Sequence, residues 1–145
     1  GLRAKVRCGG IVAQAFPSCE ELAAFIISAA RAGVPFRATA GLHHPVRHFD
    51  ATVGCLTHGF LNLFAATLVA LHDDDPAGVE ATLGEEDAAA FRFDDAGFSL
   101  RNRRFDQAAI ASARQRGFVS YGSCSFDEPV ADLTAMGILD ATAAP

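Results

Sequence analysis

AKVRCGG, residues 4–10, alternates polar and apolar side chains and then stops at two glycines. This pattern is typical of a short β-strand that ends in a tight turn. A helix start follows, because Ser18 is a good N-cap, Glu21 completes a capping box, and Gly33 suits the C-terminal cap. The opening of the chain therefore predicts a strand followed by a helix, which is the basic unit of parallel α/β proteins.

The same alternation of strands and helices continues along the chain. Further strands are predicted at residues 34–39 and 118–122, and a small hairpin at residues 91–93 and 98–100. A long loop is expected at residues 40–57. Further helices are predicted at residues 59–72, 77–83, 107–117 (capped by Asp106) and 125–139.

These elements predict an α/β fold, a partial (β/α) barrel of about three parallel strands with flanking helices and a small hairpin insertion. Residues 1–145 are expected to form a single α/β domain. A three-stranded sheet covered on one face leaves its other face and its edges open. We therefore expect the C-terminal part of a larger barrel, with the other strands supplied by an N-terminal region or by a second copy in a homo-oligomer.

Composition narrows the class of protein. Half of the 145 residues are hydrophobic, which is enough for a real core. The net charge of −5 argues against binding to nucleic acid or to an anionic membrane surface, since both bind proteins that carry an excess of Lys and Arg. The four cysteines are scattered and no signal peptide is visible, so a cytoplasmic protein with reduced thiols is expected.

Glycines and small hydroxyl residues stand at the carboxyl ends of all three main strands. Ligands of parallel α/β proteins bind at these ends, where loops and helix N-termini gather. Glycine lets the backbone approach a ligand, and free N–H groups favour an anion. The candidate ligand-binding residues in these turns are Gly9, Gly10, Gly41, Gly122, Ser123 and Ser125.

Basic side chains share one face of the first two strands. By alternation, Lys5 and Arg7 lie on one face of the first strand, and Arg37 and Thr39 on the corresponding face of the second. The apolar faces should pack against helices, which directs these four side chains toward the barrel interior. There they would face an anionic ligand, acidic residues of other strands, or an internal layer of salt bridges.

Adjacent histidines follow the second strand. His43 and His44 could supply a general acid or base, or they could be hydrogen-bonded residues of a solvated loop. A metal-ligand role for the two histidines also stays open, but no nearby carboxylate shows clear ligand spacing, so no metal ligands are assigned and the cofactor stays unknown. His58 and Asn62 lie four residues apart near the start of a buried helix. They could reach the same site, and His58 could equally cap that helix.

Four segments together resemble the C-terminal part of an uncharacterised bacterial barrel-like protein family. The resemblance covers most of the chain and implies a barrel-like fold, with no activity to carry over. The segments are Lys5-Val6-Arg7-Cys8-Gly9-Gly10, Ala38-Thr39-Ala40-Gly41-Leu42-His43-His44-Pro45, His58-Gly59-Phe60-Leu61-Asn62 and Tyr121-Gly122-Ser123-Cys124-Ser125-Phe126-Asp127-Glu128-Pro129.

A looser similarity is to the deoxyribose-phosphate aldolase class, which combines a Schiff-base lysine strand ending in Gly-Gly with a late phosphate loop. Gly9-Gly10 and the segment from Gly122 to Ser125 are similar to these two elements. Lys5 departs from the pattern, because it stands one position too far from the glycines and Val6 occupies the matching place. Lys5 is therefore a third catalytic candidate, a Schiff-base residue that requires a lowered pKa.

We expect an enzyme, lyase- or aldolase-like or another metabolite-acting barrel enzyme, that acts on a small phosphorylated or carboxylated metabolite. Arg7 and Arg37 would hold the anion, and His43 or His44 would move a proton. Two alternatives stay open on the sequence. One is a noncatalytic module that binds a small anion, and the other is a structural or assembly domain.

Overall fold

A computed structural model of the protein describes residues 1–140 and 142. The described residues form a mixed α/β fold with five α-helices. These are α1 (Cys19–Ala32), α2 (Phe60–His72), α3 (Pro76–Leu83), α4 (Gln107–Arg116) and α5 (Asp127–Ala135). The strands are β1 (Ala4–Arg7), β2 (Phe36–Thr39), β3 (His48–Asp50), β4 (Cys55–Thr57), β5 (Phe91–Asp94), β6 (Gly97–Leu100), β7 (Arg103–Asp106) and β8 (Phe118–Tyr121).

The three predicted main strands form one parallel sheet in the order β1-β2-β8. Lys5 pairs with Arg37 and Arg7 with Thr39 across β1 and β2, and Arg37 pairs with Ser120 across β2 and β8. The prediction of three parallel strands is therefore confirmed. The described residues show an open sheet and no closure into a barrel.

Local signals in α1 act as the sequence predicts. The Ser18 hydroxyl accepts a hydrogen bond from the Glu21 backbone N–H, and the Glu21 carboxylate accepts one from the Ser18 backbone N–H. Gly33 closes the helix in the left-handed conformation, with φ of 64°. Helix α5 is shorter than the predicted helix at residues 125–139. It ends at Ala135, and Gly137 two residues later adopts a left-handed φ of 70°.

Two small antiparallel sheets differ from the predictions. The expected loop at residues 40–57 contains a hairpin of β3 and β4. The predicted hairpin of β5 and β6 is present, and β7 adds to it as a third strand. Both missed features are short strands that exist through their pairing partners, which a local pattern does not reveal.

The core lies between one face of the parallel sheet and the helices. α2 is buried through most of its length and contacts α1, α3 and α4. Cys8, Phe36 and Ala38 line the covered face of the sheet. No helix among residues 1–140 and 142 has the length and apolar character needed to cross a membrane.

Candidate functional site

The carboxyl ends of the three parallel strands meet at one end of the sheet, as predicted. The Cys8 backbone N–H donates to the Thr39 carbonyl at 2.8 Å, and the Gly122 N–H donates to the Ala38 carbonyl at 3.1 Å. Gly41 has a left-handed φ of 74°, and a Cβ added there would lie 2.8 Å from the Cα of Gly9. The two turns therefore touch backbone to backbone, which requires glycine at position 41.

A cavity of about 250 Å³ opens at this end of the sheet. We call it the mouth cavity. Loops that follow β1 and β2 form most of its wall, and the β3–β4 hairpin forms the rest. It is lined by Gly10, Ile11, Phe16, Gly41, His43, His44, Asp50, Thr52, Val53 and Thr57.

Helix α5 supplies a carboxylate to each of the two histidines. The His44 Nδ1 lies 2.5 Å from Asp132 Oδ2, and the His43 Nδ1 lies 3.7 Å from Glu128 Oε2. Glu128 and Asp132 are four residues apart, so they lie on one face of α5. Asp132 is the functional candidate that the sequence reasoning missed, since 88 residues separate it from His44.

The contact with Asp132 determines what His44 can do chemically. A carboxylate at Nδ1 accepts the proton of that nitrogen and holds the ring in one tautomer and orientation. The ring of His48 packs edge-on against His44 with 4.5 Å between centroids, which restricts the ring further. Nε2 is then the ring nitrogen that is free to accept a proton, and His44 is one of the residues that line the mouth cavity.

Asp50 places a negative charge in the same cavity. Its carboxylate accepts a hydrogen bond from the Thr52 backbone N–H at 2.8 Å. This hydrogen bond, more than any other contact, holds the pKa of Asp50 below its ordinary value. The residue lies in β3, inside the segment that we expected to be a loop, and its isolated position in the sequence gave no signal of a site.

His58 and Asn62 belong to the core beneath the cavity and do not line it. His58 Nε2 lies 2.6 Å from the Pro17 carbonyl, and Arg47 donates to Nδ1 at 3.2 Å, so the ring is a neutral Nε2–H tautomer. Burial is the main cause that lowers the pKa of His58. Asn62 accepts from the Arg47 backbone N–H and donates to the Thr82 and Glu85 carbonyls. Both side chains therefore fix loops, and the idea that they reach the site is wrong.

Lys5, Arg7 and Arg37 share one face of the sheet, as predicted, but that face is exposed and not an enclosed interior. The alternation of a strand fixes which side chains share a face, whereas other elements decide whether that face is covered. Lys5, Arg37 and Thr39 do not line the mouth cavity. Arg7 does not line it either; its Nε donates to the Gly9 carbonyl at 2.8 Å, next to the lining residue Gly10.

Polar groups in the turn after β8 form hydrogen bonds with one another. The Ser123 hydroxyl donates to the Ser125 carbonyl at 2.8 Å, and the Ser125 hydroxyl accepts from the Asp127 backbone N–H at 3.1 Å. Gly122, Ser123 and Ser125 lie at the same end of the sheet but outside the lining of the mouth cavity. The structure therefore does not bring these three residues together with His43 and His44.

Comparisons with protein-family models, with curated proteins and with solved structures found no match to this chain. The resemblance to a bacterial barrel-like family stays a prediction. Among the described residues, no cluster of three His, Cys, Asp or Glu side chains has the geometry of a metal site. The geometry of the mouth cavity is therefore the basis for any functional argument.

Proposed function

We propose that this chain is the C-terminal part of a (β/α) barrel and acts as an enzyme on a small anionic metabolite in the mouth cavity. The pair of His44 and Asp132 beside that cavity is the observation that carries the proposal. An imidazole held by a carboxylate is a common general base, and the carboxylate stabilises the imidazolium that forms. His44 would take a proton from the metabolite through Nε2.

The anionic group of the metabolite is expected beside Gly10. A Cβ added at Gly10 would lie 3.2 Å from Arg7 Nη2, so the guanidinium lies beside a lining residue, although Arg7 does not itself line the cavity. Among residues 1–140 and 142, no carboxylate lies within salt-bridge distance of Arg7, so its charge is available to a ligand. Asp50 disfavours an anion next to it and favours a hydroxyl or ammonium group there.

The sheet supports the barrel part of the proposal. The strands β1, β2 and β8 are parallel, their covered face packs against helices, and their opposite face carries Lys5 and Arg37. In a closed barrel that opposite face becomes the interior. Lys5 lies two residues before Arg7 in β1 and does not line the mouth cavity. We therefore assign proton transfer to His44 and not to Lys5.

The experiment begins with a thermal-shift screen of phosphorylated sugars and of hydroxy and keto acids. Compounds that stabilise the protein are then tested for turnover with the wild-type chain, with His44→Gln and with His72→Gln. His72 is exposed at the end of α2 and serves as the matched control. We expect His44→Gln to abolish turnover while the compound still binds, and His72→Gln to behave like the wild type.

The other outcomes contradict the proposal in distinct ways. Binding without turnover in the wild-type chain would identify a noncatalytic anion-binding module. No stabilisation by any compound would favour a structural or assembly domain. Turnover that survives in His44→Gln would remove His44 from the mechanism.

A further inference from the structure

The strand β8 lies at the edge of the parallel sheet. Its only strand neighbour among residues 1–140 and 142 is β2, so the other side of its backbone is open. An open edge presents unpaired N–H and C=O groups, which can bind another extended segment. The inference drawn from this edge does not depend on the role of His44. It is an alternative to the barrel part of the proposed function, because a closed barrel would pair this edge with another strand.

A cavity of about 420 Å³ runs along this free edge. All four residues of β8 line it, although successive side chains of a strand point to opposite faces. Only a space beside the edge can touch all four, so the cavity follows the strand. We call it the edge groove. Most of the other lining residues are apolar, among them Phe60, Phe64, Phe93, Ile110, Leu133 and Ile138, and Arg114 of α4 adds a cation to the lining.

The opposite face beside the groove is basic. Arg37 of β2 is the cross-strand partner of Ser120 of β8, and both are exposed. In the described part of the chain, no carboxylate lies within 4 Å of the Arg37 guanidinium. A strand added to β8 would lie about 10 Å from β2. An acidic side chain on that strand can meet Arg37 across the small side chain of Ser120.

We propose that the free edge of β8 binds an extended segment of a partner polypeptide whose side chains alternate between apolar and acidic. The apolar side chains fill the edge groove, and the acidic side chains face Arg37. A second copy of this chain does not match this chemistry. Of the two edge strands of its parallel sheet, β1 would bring Lys5 and Arg7 next to Arg37, and β8 would offer only Ser120.

The test uses the 145-residue chain and a short fluorescent peptide that alternates Val and Glu. A matched peptide alternates Val and Lys. Fluorescence anisotropy measures binding, and hydrogen exchange measures the protection of the β8 amides. We expect the Val–Glu peptide to bind, to protect these amides, and to bind about tenfold more tightly than the Val–Lys peptide.

The variant Arg37→Glu reverses the charge beside the groove without changing the groove itself. We expect this variant to bind the Val–Glu peptide about tenfold more weakly than the wild type does, and to bind the Val–Lys peptide more tightly than the Val–Glu peptide. Arg92→Glu, an exposed change on β5, serves as the charge-matched control and should leave both affinities unchanged.

Four results would overturn the proposal. They are equal binding of the two peptides, a charge preference that Arg37→Glu does not alter, no protection of the β8 amides, and a dimer of the chain that protects β8 without peptide. The last result would identify a second copy as the occupant.

Discussion

At the scale of single residues, Asp132 connects helix α5 to His44 in the wall of the mouth cavity. Its carboxylate holds His44 Nδ1 at 2.5 Å, although it lies on a helix 88 residues away in sequence. The pattern of the sequence predicts that histidines stand at the strand end. It does not predict Asp132, since any of several acidic residues in the closing helix could have met them.

We predict that Asp132→Asn lowers the turnover number about 100-fold, because the amide no longer stabilises an imidazolium at His44. The ring orientation and the affinity for the metabolite should change little. Imidazole ¹⁵N chemical shifts should show a changed tautomer population at His44. Glu128→Gln is the matched control on the same helix. An equal loss of turnover in both variants would contradict a special role for Asp132.

His58 is expected to make the free energy of unfolding depend on pH. Burial lowers its pKa below the ordinary 6.5, so the unfolded chain binds the proton more readily. The contribution of the neutral ring to stability is therefore complete above pH 6.5 and is lost as the pH falls toward the lowered pKa. Asp50 acts at more acidic pH, because its pKa is lowered from an ordinary value that is already 3.8.

We expect the free energy of unfolding, measured with urea, to fall between pH 7 and pH 5 in the wild-type chain. In His58→Gln this decrease should be clearly smaller, since glutamine does not titrate and can still donate to the Pro17 carbonyl. The same pH dependence in both proteins would show that another group causes it.

At the scale of elements, the helix α1 was predictable because its signals are local. Ser18 and Glu21 form the capping box that their spacing indicates, and Gly33 ends the helix. The hairpin of β3 and β4 was not predictable, because each strand has three residues and Phe49 is exposed. Such strands are defined by their partners more than by their own composition.

The capping of α1 gives a prediction with an internal control. Ser18→Ala should lower the free energy of unfolding by about 1 kcal/mol, because the Glu21 backbone N–H loses its acceptor. Ser28→Ala, in the interior of the same helix, should be neutral or slightly stabilising, because alanine has the higher helix propensity. Chemical denaturation of both variants measures the difference. Equal effects would contradict the capping role.

The turn after β2 gives a second element-scale prediction. In Gly41→Ala, the alanine would have to adopt a left-handed φ, and its Cβ would lie only 2.8 Å from the Cα of Gly9. Gly33→Ala has the same kind of φ, 64°, but its Cβ would meet open space. We expect Gly33→Ala to cost about 1 kcal/mol and Gly41→Ala to cost more, by at least about another 1 kcal/mol. Equal costs in thermal unfolding would show that the two turns can separate freely.

At the scale of the whole molecule, the sequence predicts which side chains share a face but not what covers that face. Lys5, Arg7 and Arg37 lie together on the sheet, yet they are exposed, because no described element packs over them. Alternation is a property of the strand, whereas coverage depends on contacts with distant segments. The same distinction explains why the three strand ends meet as expected while Asp50 and Asp132 were missed.

The mouth cavity is proposed to bind a small anion beside Arg7 and His44. The most direct measurement is an ¹⁵N amide NMR titration with pooled phosphorylated sugars and hydroxy acids. We expect at least one compound to shift the amides of Gly10, Gly41 and His44 together, and Arg7→Gln to weaken this effect. Shifts confined to other regions, or none with any compound, would contradict it.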